Sequence, residues 1–178
     1  MTDMQTTPTA APEQTSPAEH DGPVTLTHLR EDGAAHMVDV GNKSVTARRG
    51  VAEATVVTRP DVIALIADGT LPKGEAISVA RLAGIMAAKE TSRLIPLCHP
   101  LPITAVEVDA IIGIDNVTLR ATVSTVGRTG VEMEALTAVS IAALTVYDMI
   151  KGVDRGARLT DIMVIEKSGG RSGTWARS

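Results

Sequence analysis

The chain of 178 residues contains no phenylalanine, one tyrosine (Tyr147), one tryptophan (Trp175) and one cysteine (Cys98). A single thiol excludes an internal disulfide and any multi-cysteine zinc site. With no disulfide framework, a reduced and cytoplasmic setting is expected. Aromatic residues at 1% leave no base-stacking platform for single-stranded nucleic acid. Basic excess is also missing, because the formal net charge is -4. Residues 1–24 carry Asp3, Glu13, Glu19 and Asp21 but no Lys or Arg; removing these four from the 21 acidic residues leaves 17 against 17 basic ones. A neutral body lacks the positive footprint of a nucleic-acid binder, so no nucleic-acid partner is expected. Uninterrupted apolar runs are only a few residues long, which predicts neither a membrane span nor a secretory signal.

What is present is an ordinary globular composition, 44% apolar and 21% charged, at a length that suits one domain with a core. Residues 1–24 hold Pro8, Pro12, Pro17 and Pro23 and almost no large apolar side chain, and are expected to be a disordered acidic tail. The folded domain is expected from 25 to 174, with 175–178 as a terminal extension. Val51 to Thr58 is rich in β-branched residues and predicts a strand. Pro60 opens a short helix through Ala67, closed by Gly69, with Leu71–Gly74 as a loop. A second helix is predicted from Ser78 to about Leu94, where Leu82, Ile85, Met86 and Lys89 recur at helical spacing. Pro96, Pro100 and Pro102 then forbid helix and hold an extended path. Val106–Ile112 and Val117–Ser124 alternate apolar with polar around the turn residues Gly113–Asn116, which is a hairpin pattern. Met133–Ile150 predicts a long helix and Leu159–Ile165 a last strand, followed by a flexible glycine-containing end. The resulting β-α-β-β-α-β order predicts a ferredoxin-like α+β fold, an antiparallel sheet with helices packed on one face.

Several polar residues sit where a core pattern does not want them. On the long helix Glu134, Thr137, Ser140, Asp148 and Lys151 fall on one narrow stripe of an otherwise apolar element. Such a stripe is a solvated face or a working surface. Glu132 and Glu134, two apart in an extended lead-in, would point the same way, and paired carboxylates can divide acid and base roles. His99 lies in Pro96-Leu97-Cys98-His99-Pro100-Leu101-Pro102, where the prolines preorganise its backbone for proton transfer. No second His or Cys cluster completes a metal tetrahedron around Cys98 and His99, so no metal is expected. Lys73 precedes a helix and Lys167 opens Lys167-Ser168-Gly169-Gly170-Arg171-Ser172-Gly173; both suit contact with phosphate oxygens. Neither a P-loop nor a GxGxxG motif is present. The residues alone therefore point to an acid–base enzyme acting on an anionic small molecule.

Taken together, His36-Met37-Val38-Asp39-Val40, Lys73-Gly74, Ile95-Pro96-Leu97-Cys98-His99-Pro100-Leu101, Gly130-Val131-Glu132-Met133-Glu134-Ala135-Leu136, Tyr147-Asp148-Met149 and Lys167-Ser168-Gly169-Gly170, with Leu26-Thr27-His28 before them, resemble the cyclic pyranopterin monophosphate synthase family of molybdenum-cofactor biosynthesis. The resemblance implies a lyase-type enzyme without a cofactor. Its substrate would be the cyclised GTP-derived triphosphate supplied by a radical S-adenosylmethionine enzyme, and its products cyclic pyranopterin monophosphate and pyrophosphate. Carried over residue by residue, the resemblance implies Lys73 and Lys151 as the central acid–base and electrophilic pair, with His99 and Asp148 orienting groups or relaying protons. Glu132 and Glu134 would contact the base-derived ring, Lys167 and Arg48 would hold phosphates, and Cys98 would line the site. It further implies a homohexamer, a trimer of dimers, with sites at the dimer interface. The competing expectation is a non-catalytic nucleotide- or pterin-binding regulatory paralogue on the same fold.

Overall fold

The computed structural model describes residues 34–178; the acidic tail expected at 1–24 and the Leu26-Thr27-His28 string lie outside the described residues. The chain runs β1 (Thr46–Val57), α1 (Pro60–Ala67), α2 (Ala76–Leu94), β2 (Ile103–Ile112), β3 (Asn116–Gly127), α3 (Glu132–Ile150), β4 (Arg158–Ser168) and β5 (Trp175–Ala176). The strands form one antiparallel sheet in the order β2-β3-β1-β4-β5. This is the α+β, ferredoxin-like arrangement that the sequence pattern predicts. The first strand begins five residues earlier than expected, at Thr46, because it continues pairing with β3 as far as Gly127.

The expected hairpin is present. Gly113 N–H donates to the Asn116 carbonyl at 2.8 Å, and β2 and β3 pair from Ile112↔Val117 back to Ile103↔Thr125. Val117, Leu119, Ala121 and Val123 are buried beneath the helices, together with Val56, Ile66, Val139, Val146 and Ile150. Each fully buried aliphatic side chain of this size stabilises by about 1.5–3 kcal/mol. The other sheet face is polar and carries the Glu53–Arg120 and Arg49–Glu166 ion pairs.

One correction concerns α2. On α2 the buried face is formed by Ala76, Ala80, Gly84, Ala87, Ala88 and Thr91, whereas Leu82 and Met86 are 60% and 58% exposed. Small residues win that face because α3 approaches closely. A Cβ at Gly84 would lie 2.9 Å from the Ala138 carbonyl oxygen and 3.3 Å from the Ala142 Cβ, inside contact distance. The larger apolar residues are left outward. As for α3, its 19 residues are long and apolar enough to cross a membrane by length and composition, which short apolar runs alone did not reveal. It is instead a core helix packed against α2, β1, β3 and β4, with ten residues buried.

The chain end also differs from expectation. The glycine-containing end turns back through Gly169, Gly170 and Gly173, all at positive φ, so that β5 pairs Trp175 with Lys167 and Ala176 with Glu166.

Candidate active site

The site residues follow from α3, whose two ends carry different groups. At its start Val131 is the N-cap residue and Glu132 and Glu134 lie in the first turn. The pair is therefore helical rather than extended, and the two side chains diverge: Glu134 is 3% exposed while Glu132 is half-buried. Both still line one cleft with Cys98, His99, Leu97, Val38 and Val40. The proline segment reaches this cleft by a turn, with Cys98 N–H donating to the Ile95 carbonyl at 3.0 Å. It is then pinned to β3 where the buried Thr125 hydroxyl donates to the Pro102 carbonyl at 2.8 Å.

Burial raises the Glu134 carboxyl to about 7, with a further upward push from the neighbouring Glu132. Its half-protonated state near neutral pH suits a group that gives or takes a proton. Burial also raises the Cys98 thiol, and the Glu134 carboxylate adds to this, which disfavours the thiolate.

A second cleft of ≈ 700 Å³ adjoins the first through Lys43, Thr129, Gly130, Glu132 and Arg171, which line both. Its walls are cationic: Arg48, Arg49, Arg128 and Lys167 join Lys43 and Arg171. Most of these cations already have partners. The Arg48 guanidinium donates to the Gly127 and Arg128 carbonyls, both at 3.0 Å. A Cβ on Gly170 would strike that guanidinium, and one on Gly169 would strike the Ala47 carbonyl. The two glycines thus let the backbone close over β1. Arg49 pairs with Glu166, Arg128 donates to the Gly41 carbonyl, and Lys167 donates to the Ser172 hydroxyl at 2.7 Å while facing Glu132 at 3.8 Å. Lys43 and Arg171 have no such partner among the described residues, and both stand at the junction of the clefts.

The far end of α3 holds the second group. Lys73, on the loop that Gly74 closes at positive φ, donates to the Asp148 carboxylate at 2.7 Å and to the Asp148 carbonyl at 2.9 Å. It thereby satisfies one of the free carbonyls at the helix C-terminus. Lys151 reaches the other carboxylate oxygen at 2.7 Å. Hydrogen bonds from Lys151 and then Lys73 hold the Asp148 carboxyl down at about 2, and Asp148 in turn raises the Lys151 ammonium. All three side chains are about half exposed.

Of the nine residues singled out in the sequence, one protomer brings Arg48, Cys98, His99, Glu132, Glu134 and Lys167 together, and separately Lys73, Asp148 and Lys151. At ~1.5 Å per residue, Glu134 and Asp148 lie about 21 Å apart along α3. Lys43, Arg49, Arg128 and Arg171 were missed. Arg171 was visible within the glycine-containing run, and Lys43 follows the turn residues Gly41 and Asn42, but nothing local signals which cations a fold will leave unpaired. Among the described residues, no three His, Cys, Asp or Glu side chains gather as metal ligands.

Comparison with known proteins gives a consistent result. A model described as the MoaC family matches residues 37–170. A protein of Mycobacterium tuberculosis (strain ATCC 25618 / H37Rv), named cyclic pyranopterin monophosphate synthase 2, is 59% identical over 152 residues, spanning 85% of this chain and 91% of its own. Proteins named cyclic pyranopterin monophosphate synthase from Thermomicrobium roseum and Streptomyces coelicolor are 58% and 56% identical, covering 85% and 86% of this chain and 93% and 90% of theirs.

Proposed function

Because the chain belongs to the MoaC family, we propose that it is a cyclic pyranopterin monophosphate synthase, a lyase of molybdenum-cofactor biosynthesis. Its substrate is the cyclised GTP-derived triphosphate delivered by a radical S-adenosylmethionine enzyme. The reaction rebuilds the purine and ribose carbons as a pyranopterin and forms a cyclic phosphate. In that last step a substrate hydroxyl bonds to the α-phosphorus, the bond to the leaving phosphate breaks, and pyrophosphate departs.

The observation that carries the mechanism is the division of one helix into two unlike ends. Rearranging a ring needs proton transfers at several atoms. Lys73 and Lys151, held by one ionised aspartate, supply ammonium groups as acids and electrophiles. Glu134, titrating near 7, exchanges protons with the ring, while Glu132 and His99 orient it. Lys167 and Arg48 face the phosphates, and the unpaired Lys43 and Arg171 are the cations freest to bind them.

Ends about 21 Å apart along α3 cannot both touch the same reacting atoms within one protomer. A complete site therefore joins the start of α3 in one protomer to the C-terminal end of α3 in another. The exposed apolar residues Val79, Leu82, Met86 and Leu144 support burial of these helices against a second copy. The working form is a homohexamer built as a trimer of dimers with sites at the dimer interface. The single catalytic domain extends beyond the boundary expected at 174 to include β5, and the protein acts in the cytoplasm.

Purified protein supplied with the cyclised GTP intermediate is expected to yield pyranopterin and pyrophosphate in equal amounts. An intact, folded oligomer that binds the intermediate without turnover would instead be a regulatory paralogue.

A further inference from the structure

Lys73 and Lys151 sit on half-exposed, flexible four-carbon stems that meet only at Asp148. An ion pair exposed to water holds geometry weakly. Something else must fix the distance between the loop carrying Lys73 and the helix end carrying Lys151. Apolar packing does so only in part: Leu71, two residues before Lys73, is buried in one core with Val146, Met149 and Ile150.

The link is a polar cluster at the other end of α1. The Thr58 hydroxyl donates to the Asp154 Oδ2 at 2.7 Å in a buried setting, where Thr58 is 6% and Asp154 9% exposed. The other carboxylate oxygen accepts from Gly156 N–H at 2.8 Å and faces Arg59 Nη1 at 3.9 Å. That same Arg59 nitrogen donates to the Val153 carbonyl at 3.2 Å, while the rest of the guanidinium grips Asp61 in the first turn of α1. Asp154 N–H donates to the Ile150 carbonyl at 2.9 Å, so the main chain that carries this carboxylate is tied to the last turn of α3, three residues beyond Lys151. The segment from Thr58 to Lys73 is therefore fastened to the C-terminus of α3 at both of its ends, by Thr58–Asp154 at one and Lys73–Asp148 at the other.

Helix stability does not account for this acid. A carboxylate at a helix C-terminus opposes the helix dipole, and an apolar residue would fill a buried position with less desolvation. Its placement makes sense as a device for register. We propose that Thr58 and Asp154 are positioning residues that hold the Lys151 ammonium in line with Lys73 across the shared aspartate. The proposal rests on the synthase reading, in which those two lysines serve one reaction.

Two readouts test it. In turnover of the cyclised GTP intermediate, Thr58→Val should lower kcat by about 10-fold with KM changed less than about 2-fold, and Thr58→Ser should restore the rate. In a Lys151→Arg background, Thr58→Val should cost less than about 2-fold more, because its effect runs through Lys151. The second readout needs no activity: lysine side-chain carbon NMR of the oligomer should show the upward shift of Lys151 collapsing toward an ordinary lysine in Thr58→Val and returning in Thr58→Ser. Should Thr58→Val not fold, Asp154→Asn is read in the same two ways, with the same losses expected. An unaltered Lys151 titration overturns the proposal, as does an unaltered kcat or an equal rate loss in both backgrounds. A wild-type protein without turnover removes the synthase reading, while the titration still decides whether the clamp positions Lys151.

Discussion

Glu134 and Asp148 belong to the same helix and carry the same chemical group, yet their acidities move in opposite directions. Glu134, in the first turn of α3, is buried beside the cleft that Cys98 and His99 line, no cation pairs with it among the described residues, and its carboxyl rises to about 7. Near the helix end two ammonium groups converge on Asp148 in water, and its carboxyl falls to about 2. Desolvation governs one end and hydrogen-bonded charge the other. One element thus offers a titrating proton carrier at its start and a permanently charged lysine–aspartate–lysine array at its finish. A multi-step rearrangement can use both, provided that they meet.

The largest expected effect breaks the charged end. Lys73→Ala or Lys151→Ala should each raise the barrier by about 3 kcal/mol or more, seen as a fall in kcat, while circular dichroism and melting stay close to wild type because both side chains are half exposed. Near-normal rates in both variants would move the chemistry to the other end.

The buried end should reveal itself in stability. Glu134 holds its proton more tightly folded, at about 7, than at its ordinary value of 4.5. The contribution of this one group to stability is therefore fully present below pH 4.5 and is lost as pH rises through about 7, a change of about 3 kcal/mol. Urea titrations at several pH values should show that decline in wild type and lose it in Glu134→Gln.

A third variant tests the scaffold that sets the two ends apart. Gly84→Val forces a side chain against the Ala138 carbonyl and should destabilise by about 1–3 kcal/mol in urea unfolding. Smaller still, Lys43→Gln and Arg171→Gln should each raise KM a few-fold, leave kcat unchanged and flatten its salt dependence. The least effect belongs to Asp148→Asn on acid stability. The lowered carboxyl stabilises only above its ordinary 3.8, a contribution lost as pH falls toward 2, and solvent screens it. Acid-unfolding curves of the variant and wild type should nearly coincide.

Much of this organisation is written locally. The β2–β3 alternation, the proline-stiffened His99 segment and the polar stripe of α3 each follow from spacing, and the ferredoxin-like order follows from them. Local spacing also misleads. Leu82 and Met86 repeat at helical intervals, yet the fold buries the alanines and Gly84 of α2, since only small residues admit α3 so closely. Hydropathy along a sequence does not encode how near a second helix comes. The same limit hides the inventory of cations: Arg48 looks free until the end of β3 and the residue after it each supply a carbonyl, and Lys43 looks unremarkable until its neighbours pair off. The return of β5 along Lys167 has no periodic signal at all, being two residues long.

The composite site is tested most directly by mixing dead subunits. Lys151→Ala and Glu134→Ala proteins are each prepared inactive, then dissociated together and reassembled. A dimer of the two carries one doubly damaged site and one built entirely from intact halves. Random reassembly should therefore recover about a quarter of wild-type turnover. Activity no greater than the sum of the two separate variants would contradict the account and confine the chemistry to a single protomer.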